Sequence, residues 1–94
     1  MPKPKNVNPR NFQVESIIFD NGEFSIGWGR WEDGTMRLGM RWNGDNNDPG
    51  YPKLFKNPVW FVLPHELSLP IVSSLLGDAH SSKQDIITVL NKLL

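Results

Sequence analysis

The spacing of apolar residues changes along this chain. Residues 13–19, 24–31 and 36–42 are rich in Val, Ile, Phe, Trp and Leu, and polar turn residues separate them. Runs of this kind are typical of β-strands. The first gap contains Asn21-Gly22 and the second contains Asp33-Gly34, dipeptides that favour two-residue hairpin loops. The first half of the chain therefore predicts two consecutive antiparallel hairpins.

Residues 43–58 interrupt this pattern with a segment rich in Asn, Asp, Gly and Pro. These residue types favour turns, and a loop of this length in a small domain suggests a functional or interface segment. The continuous apolar run 59–63 lies between prolines and predicts a fourth, more deeply buried strand.

Helical spacing of apolar residues begins after residue 64. Ser68 is the predicted N-cap of a first helix, and Gly77 follows its end. Capping-box spacing before a second helix occurs at 81–84 and again at 82–85. The apolar stripe of this helix must be buried on its own sheet or on a second copy of the chain, and we expect it to support a homodimer. The fold class is thus α+β, an antiparallel meander sheet of about four strands followed by two C-terminal helices packed on one face.

Residues 1–11 differ from the rest of the chain, because they hold three prolines and three basic residues and little that is apolar. They predict a flexible basic and proline-rich arm, and residues 12–94 predict a single α+β domain. No apolar run has the pattern of a signal peptide or the length of a membrane span. We therefore expect a cytoplasmic protein without membrane contact.

Composition narrows the chemistry that the chain can carry. It has no cysteine, which excludes disulfides, zinc-thiolate sites and thiol nucleophiles. Ten basic and ten acidic residues cancel, so the overall charge predicts neither nucleic-acid nor membrane binding, and a neutral surface favours self-association.

Four polar patterns have some features of chemical sites and lack others. Asp78, His80 and Ser81 are too close in sequence to converge as a catalytic triad. His65 lacks the second histidine of a zinc-binding helix. The loop that begins at Asn43 lacks the glycine and final glutamate of a calcium loop, and the strand glycines do not lead into a helix as in a phosphate-binding loop. We therefore assign no catalytic residue, metal site or cofactor and predict a non-enzymatic protein.

The two hairpins also predict which side chains share a face of the sheet. Two-residue loops pair Phe19 with Phe24 and Trp28 with Gly39. Because side chains alternate between faces, the face that we expect the helices to cover then carries Val14, Ile18, Gly27, Gly29, Trp31, Met36, Leu38, Met40 and Trp42. The opposite face collects Trp28 with three arginines. A one-residue bulge in either hairpin would exchange the two faces.

The predicted binding site is this second group, Trp28, Arg30, Arg37 and Arg41, joined by Tyr51 from the long loop. An aromatic platform flanked by cations suits single-stranded nucleic acid. Two other interpretations stay open: a structural surface on which Trp28 covers a strand glycine, and a face buried against a protein partner.

Several segments resemble small uncharacterised bacterial proteins of the mobile gene cassette type, namely 24–29, 38–44, 50–53 and 58–64. The resemblance spans about half of the chain and implies no known active site. In architecture, strands followed by helix with Trp and Arg on the sheet are similar to coactivator-type single-stranded-DNA-binding modules, which are dimers.

The functional prediction is a dimeric, non-enzymatic binding module. It would contact a protein or single-stranded nucleic acid through the Trp/Arg sheet face and the 43–58 loop. A toxin–antitoxin-like or immunity-type interaction protein is the alternative, and a small enzyme that uses Asp45, His65 or His80 ranks third.

Overall fold

The computed structural model describes residues 3–94. Its strands are β1 (Phe12–Asp20), β2 (Phe24–Trp31), β3 (Met36–Trp42), β4 (Lys53–Leu54), β5 (Asn57–Pro58) and β6 (Phe61–Val62). Two helices follow, α1 (Ser68–Leu75) and α2 (Lys83–Leu93), and short 3-10 turns lie at Pro4–Asn6 and His65–Leu67.

The main sheet has four antiparallel strands in the order β1-β2-β3-β6. The predicted α+β fold, a meander sheet followed by two C-terminal helices, is therefore confirmed. The fourth strand is shorter than the predicted run 59–63, because its ladder pairs only Gly39 with Val62 and Met40 with Phe61. Strands β4 and β5 form a separate two-stranded hairpin inside the long loop.

The loop between β2 and β3 has three residues rather than two. The Trp31 amide donates to the Thr35 carbonyl at 2.8 Å, which leaves 32–34 as the loop, with Gly34 at a φ of 86°. A turn closed by a left-handed glycine is the common three-residue hairpin geometry. Trp28 therefore pairs with Leu38, and the predicted pairing of Trp28 with Gly39 is wrong by one residue.

The first hairpin also departs from its predicted register. Phe19 pairs with Ile26 rather than Phe24, and two β-bulges shift the register farther along β1. Bulges add a residue to one strand and increase its twist. The pairing predicted from a two-residue Asn-Gly loop is therefore wrong at this end of the hairpin.

These shifts exchange the two faces of β2 but not those of β3. Met36, Leu38, Met40 and Trp42 lie on the helix-covered face as predicted, whereas Gly27, Gly29 and Trp31 of β2 do not. The helices cover the face that carries Ile26, Trp28 and Leu38, where the main core also includes Ile18, Leu63, Val72, Ile86 and Val89. The opposite face carries Gly27, Gly29 and Gly39, and Phe12 and Trp60 pack onto it. A Cβ on Gly39 would lie 3.1 Å from the Phe12 ring and 3.2 Å from the Trp60 Cβ. The close neighbours of these glycines are therefore aromatic side chains and not a helix.

The chain that precedes β1 packs against this glycine-containing face. Val7 is 2% exposed, and the Trp60 indole N–H donates to its carbonyl at 2.7 Å. The Val14 amide donates to the Asn8 Oδ1 at 2.8 Å. Residues 3–11 thus differ from the flexible arm predicted for 1–11, because tertiary contacts hold them; Met1 and Pro2 lie outside the described residues.

The helices begin close to their predicted positions. The N-cap of α1 is Leu67, one residue before the predicted Ser68. Ser82 occupies the N-cap position of α2, and its hydroxyl donates to the Asp85 carboxylate at 2.8 Å, so the helix begins with the 82–85 spacing and not with 81–84. Ile86 is fully buried in the core of the same chain. Within residues 3–94, neither helix has the length and apolar character that crossing a membrane requires.

The β2–β3 turn contains a carboxylate, Asp33, whose contribution to stability depends on pH. The Thr35 hydroxyl and amide donate to the Asp33 carboxylate at 2.5 and 2.9 Å, and these bonds, with Arg37 nearby, lower the pKa of Asp33 below 3.8. A lowered pKa stabilises the fold above the unfolded-state value, and this contribution is lost as pH falls through the folded-state value.

We expect an NMR titration to place the pKa of Asp33 below 3.8 and Thr35→Val to raise it. Thr88→Val, an exposed change on α2, is the matched control and should leave it unchanged. Titration of Asp33 at the same pH in the Thr35→Val variant and the parent chain would contradict this account of the turn.

Candidate functional site

The residues of the predicted Trp/Arg site do not share one face. Trp28 lies under the helices and is 3% exposed; Arg30 is on the same face, at its exposed far end. Arg37 and Arg41 alternate to the opposite face, since they pair with Gly29 and Ser25. Tyr51 is 66% exposed at the end of the sheet. The prediction of a common face is therefore wrong, because the three-residue turn moves β3 by one position.

Arg37 makes contacts that stabilise the β2–β3 turn. Its guanidinium lies 4.6 Å from the centre of the Trp31 ring and 3.6 Å from the Asp33 carboxylate. It also donates to the Leu63 carbonyl at 3.3 Å. All three contacts of the Arg37 guanidinium are with residues of its own chain. Arg37 therefore does not form part of an open aromatic platform.

Arg41 is the most unusual residue of the sheet, since it is charged and only 1% exposed. Its guanidinium donates to the backbone carbonyls of Pro49, Pro52 and Val59. It forms no ion pair within residues 3–94, and burial lowers its pKa. Three carbonyls from both ends of one loop converge on this side chain, so Arg41 fixes the course of residues 49–59.

Asn43 fixes the start of the same loop. Its backbone N–H donates to the Glu23 carbonyl at 2.7 Å. Its side chain accepts from the Ser25 hydroxyl at 2.6 Å and donates to Asp20 at 3.1 Å. Because Asn43 is 1% exposed, these bonds stabilise the fold and join the loop to the first hairpin.

The anchored loop places Tyr51 beside Trp42. The Trp42 amide donates to the Tyr51 carbonyl at 2.7 Å, and the Tyr51 amide donates to the Trp42 carbonyl at 3.1 Å. Directly paired antiparallel residues point to the same face of a sheet. Tyr51 therefore lies beside Trp42 on the helix-covered face, next to the last residue of β3.

An exposed aromatic surface results at this end of the helix-covered face. We define it by Phe24, Met40, Trp42, Tyr51 and Phe61, which share the face by cross-strand pairing. Trp42 is 54% exposed and Phe61 is 63% exposed. The Phe24 and Trp42 rings meet edge to face with their centres 4.7 Å apart. Together with Pro52 and Arg41, these side chains line a groove of about 220 Å³.

The aromatic surface is suited to contact with a large partner. Its groove is smaller than the roughly 300–1,000 Å³ of ordinary small-molecule sites, but large exposed aromatic side chains are frequent anchors of protein interfaces. Exposed apolar patches also mark interaction sites more often than scattered apolar residues do. Within residues 3–94, no group of three His, Asp or Glu residues is arranged to hold a metal ion.

A second exposed element adjoins the aromatic surface in the chain. The β4–β5 hairpin has a two-residue loop that starts with Phe55, which is 95% exposed and has a φ of 58°. A non-glycine residue in this conformation costs on the order of 1–3 kcal/mol. The Phe55 side chain is almost unburied, so packing within its own chain does not offset this cost. The hairpin exposes the side chain to solvent.

The exposure of Trp42 and Phe61 was not predicted from the sequence. Trp42 was assigned to the face that helices cover, and Phe61 to a buried strand. Helix length is the signal that would have found them: α1 has 8 residues and α2 has 11, or about 12 and 17 Å. The 8 residues of β2 extend about 26 Å, so such helices leave part of the face uncovered.

No protein family model matches the chain, and no curated protein or solved structure shows significant similarity to it. The resemblance to mobile gene cassette proteins and the likeness to coactivator-type modules therefore stay predictions.

Proposed function

We propose that this chain is a non-enzymatic protein-interaction module that contacts its partner through the aromatic surface and the 43–58 loop. One observation carries the proposal: three largely exposed aromatic side chains, Trp42, Tyr51 and Phe61, adjoin on a sheet face that the helices leave open. An antitoxin-like or immunity-type role is one form of this activity. A cytoplasmic location belongs to the same proposal and rests on the absence of cysteine.

The order of the surrounding loop supports a binding role. Arg41 donates to the carbonyls of Pro49 and Pro52, on either side of Tyr51, and Asn43 anchors the start of the loop through its bond with Ser25. A rigid apolar surface loses little conformational entropy when a partner covers it. The exposed aromatic side chains are thus presented by a fixed backbone and do not depend on a loop that orders on binding.

The local charge favours a protein over single-stranded nucleic acid. The 43–58 loop carries two lysines and two aspartates, so its charges cancel. Arg41 is buried and Arg37 is paired with Asp33. Single-strand binding combines stacking with a basic groove, and the aromatic surface offers the first feature without the second.

The proposal gives no catalytic role to Asp45, His65 or His80. These residues belong to the long loop, a 3-10 turn and the α1–α2 connection, and no hydrogen bond joins their side chains within residues 3–94. The His80 ring packs against Phe19 with the ring centres 6.3 Å apart, a contact that stabilises the fold.

The test compares surface variants in the capture of a partner from lysate of the source cells. Phe61→Ser and Tyr51→Ser remove aromatic anchors, and Ile87→Ser on α2 is the control, because Ile87 is 44% exposed on another element. A protein retained by the parent chain and by Ile87→Ser is then purified and titrated calorimetrically. We expect each aromatic change to weaken its binding about 30-fold, the loss of a typical interface anchor.

Two results would contradict the proposal. One is a partner whose affinity is unchanged by both aromatic substitutions or reduced as much by Ile87→Ser. The other is salt-sensitive quenching of tryptophan fluorescence by a single-stranded oligonucleotide that Phe61→Ser abolishes. The second result would assign the aromatic surface to nucleic acid instead.

A further inference from the structure

We infer that a partner of the aromatic surface is a second copy of this chain, and that Phe55 of each copy enters the groove of the other. The inference rests on the proposed function, since it names the occupant of the same surface. Three observations support it: the size of the groove, the position of Phe55 and the distribution of charge in the 43–58 loop.

The groove has the size and lining of a site for one side chain. It has a volume of about 220 Å³, and its lining includes four aromatic residues, Phe24, Trp42, Tyr51 and Phe61. A site below the usual range for small ligands but lined by aromatic residues suits a single apolar anchor from a protein surface.

Phe55 has the exposure and chemistry of such an anchor. It is 95% exposed, and its neighbour Leu54 is 64% exposed. The hairpin that presents it is closed by pairing of Leu54 with Asn57 and of Lys53 with Pro58. The left-handed backbone at Phe55 is one that glycine adopts more readily, so the side chain is not required to form the turn.

The charges of the loop are complementary to those of a second copy. Asp45 and Asp48 precede Tyr51, and Lys53 and Lys56 follow it. Within residues 3–94 none of these four belongs to an ion pair. In a two-fold interface the same patch faces itself, so a loop that carries two lysines and two aspartates can pair its opposite charges with those of a second copy. Because the net charge of the chain is zero, two copies do not repel each other through their overall charge.

Phe55→Gly separates association from folding. Sedimentation equilibrium of the full chain between about 10 µM and 1 mM should show a monomer–dimer equilibrium, and the variant should weaken the dimer at least tenfold, as expected for an interface anchor. Glycine suits the left-handed turn, so the melting temperature measured at low concentration should stay the same or rise. Leu76→Ser, which alters a residue that is 50% exposed near the end of α1, is the control and should leave the dimer intact.

A mixing experiment tests whether the contact is reciprocal. Phe55→Gly keeps the groove, and Phe61→Ser keeps Phe55. Each variant alone should dissociate, whereas their mixture should form a heterodimer with one intact Phe55 contact, at least threefold tighter than either homodimer. Failure of the mixture to exceed both variants would overturn the reciprocal arrangement.

A parent chain that stays monomeric at 1 mM, or a Phe55→Gly dimer of unchanged strength, would also overturn the inference. Failure of the self-association inference can be distinguished from failure of the proposed function. If a different protein still depends on Phe61, the module binds that protein and not itself. If Phe61→Ser affects no association at all, both proposals are wrong.

Discussion

Replacing Ile86 with Asp should unfold the protein. Ile86 is fully buried among the residues of the helix-covered core, and burial of such a side chain stabilises a fold by about 1.5–3 kcal/mol. The variant loses that contribution and also places a carboxylate in an apolar site, which costs several kcal/mol more. The sum approaches the total stability of about 5–15 kcal/mol that a small domain has.

The neighbouring residue provides the matched control. Ile87 is 44% exposed on the outer side of α2, so Ile87→Asp should change the free energy of unfolding by no more than about 0.5 kcal/mol. Urea denaturation followed by fluorescence should report both variants, because Trp28 is buried in the same core. Equal stability of the two variants would show that the packing of α2 on its own sheet contributes little.

This comparison also bears on the prediction that α2 supports a homodimer. The apolar stripe of α2 is buried on the sheet of its own chain, where Ile86 and Val89 are 0% and 1% exposed. Deletion of residues 83–94 should therefore expose the core and prevent folding. Because the deletion would disrupt folding as well as association, it does not test association alone. The homodimer itself stays a prediction, now based on the aromatic surface.

Replacing Arg41 with Met should lower the free energy of unfolding by about 2–4 kcal/mol. The Pro49 and Val59 carbonyls lose their donor, whereas the Pro52 carbonyl keeps the Val59 amide. A buried acceptor without a partner costs about 1–3 kcal/mol. Removal of a desolvated charge returns part of that loss. Methionine keeps the apolar stem of the side chain in place, so the remaining effect belongs to the hydrogen bonds.

Arg30→Met is the control for this second variant, because Arg30 is exposed on the adjacent strand and its loss should cost less than about 0.5 kcal/mol. Hydrogen exchange should separate the two further: the Tyr51 and Val59 amides, bonded to Trp42 and Pro52, should lose protection in Arg41→Met alone. Faster tryptic cleavage at Lys53 and Lys56 should accompany this change. Unaltered exchange of the 49–59 amides would contradict the assigned role of Arg41.

The hairpins could be predicted from local sequence, but their register could not. Asn-Gly and Asp-Gly mark where the chain turns, since few other residues accept a positive φ. Gly34 fits a two-residue loop or a three-residue loop, and the difference of one residue changes which side chains of β2 and β3 share a face. The predicted Trp/Arg face was wrong at this point, although the three strands of the two hairpins were correctly located.

The 43–58 loop was predicted as an interface from its length and turn residues, and Tyr51 was named as part of it. The burial of Arg41 was not foreseen, because its acceptors are backbone carbonyls as far away in sequence as Val59. Any residue type supplies a carbonyl, so no side-chain pattern marks such a site. The exposure of Trp42 depends on the reach of the helices and on strand register, and both are tertiary properties.

The hydrogen bond between Trp60 and Val7 joins residues 53 positions apart, and this separation has a consequence for the order of folding. Closing a long loop carries an entropic cost that later contacts must repay, and nonlocal contacts tend to form slowly. The segment around Val7 leaves the ribosome long before Trp60 does, so during synthesis it has no docking site until most of the sheet is complete. It should therefore dock late, after the three consecutive strands have paired and Trp60 has reached the glycine-containing face.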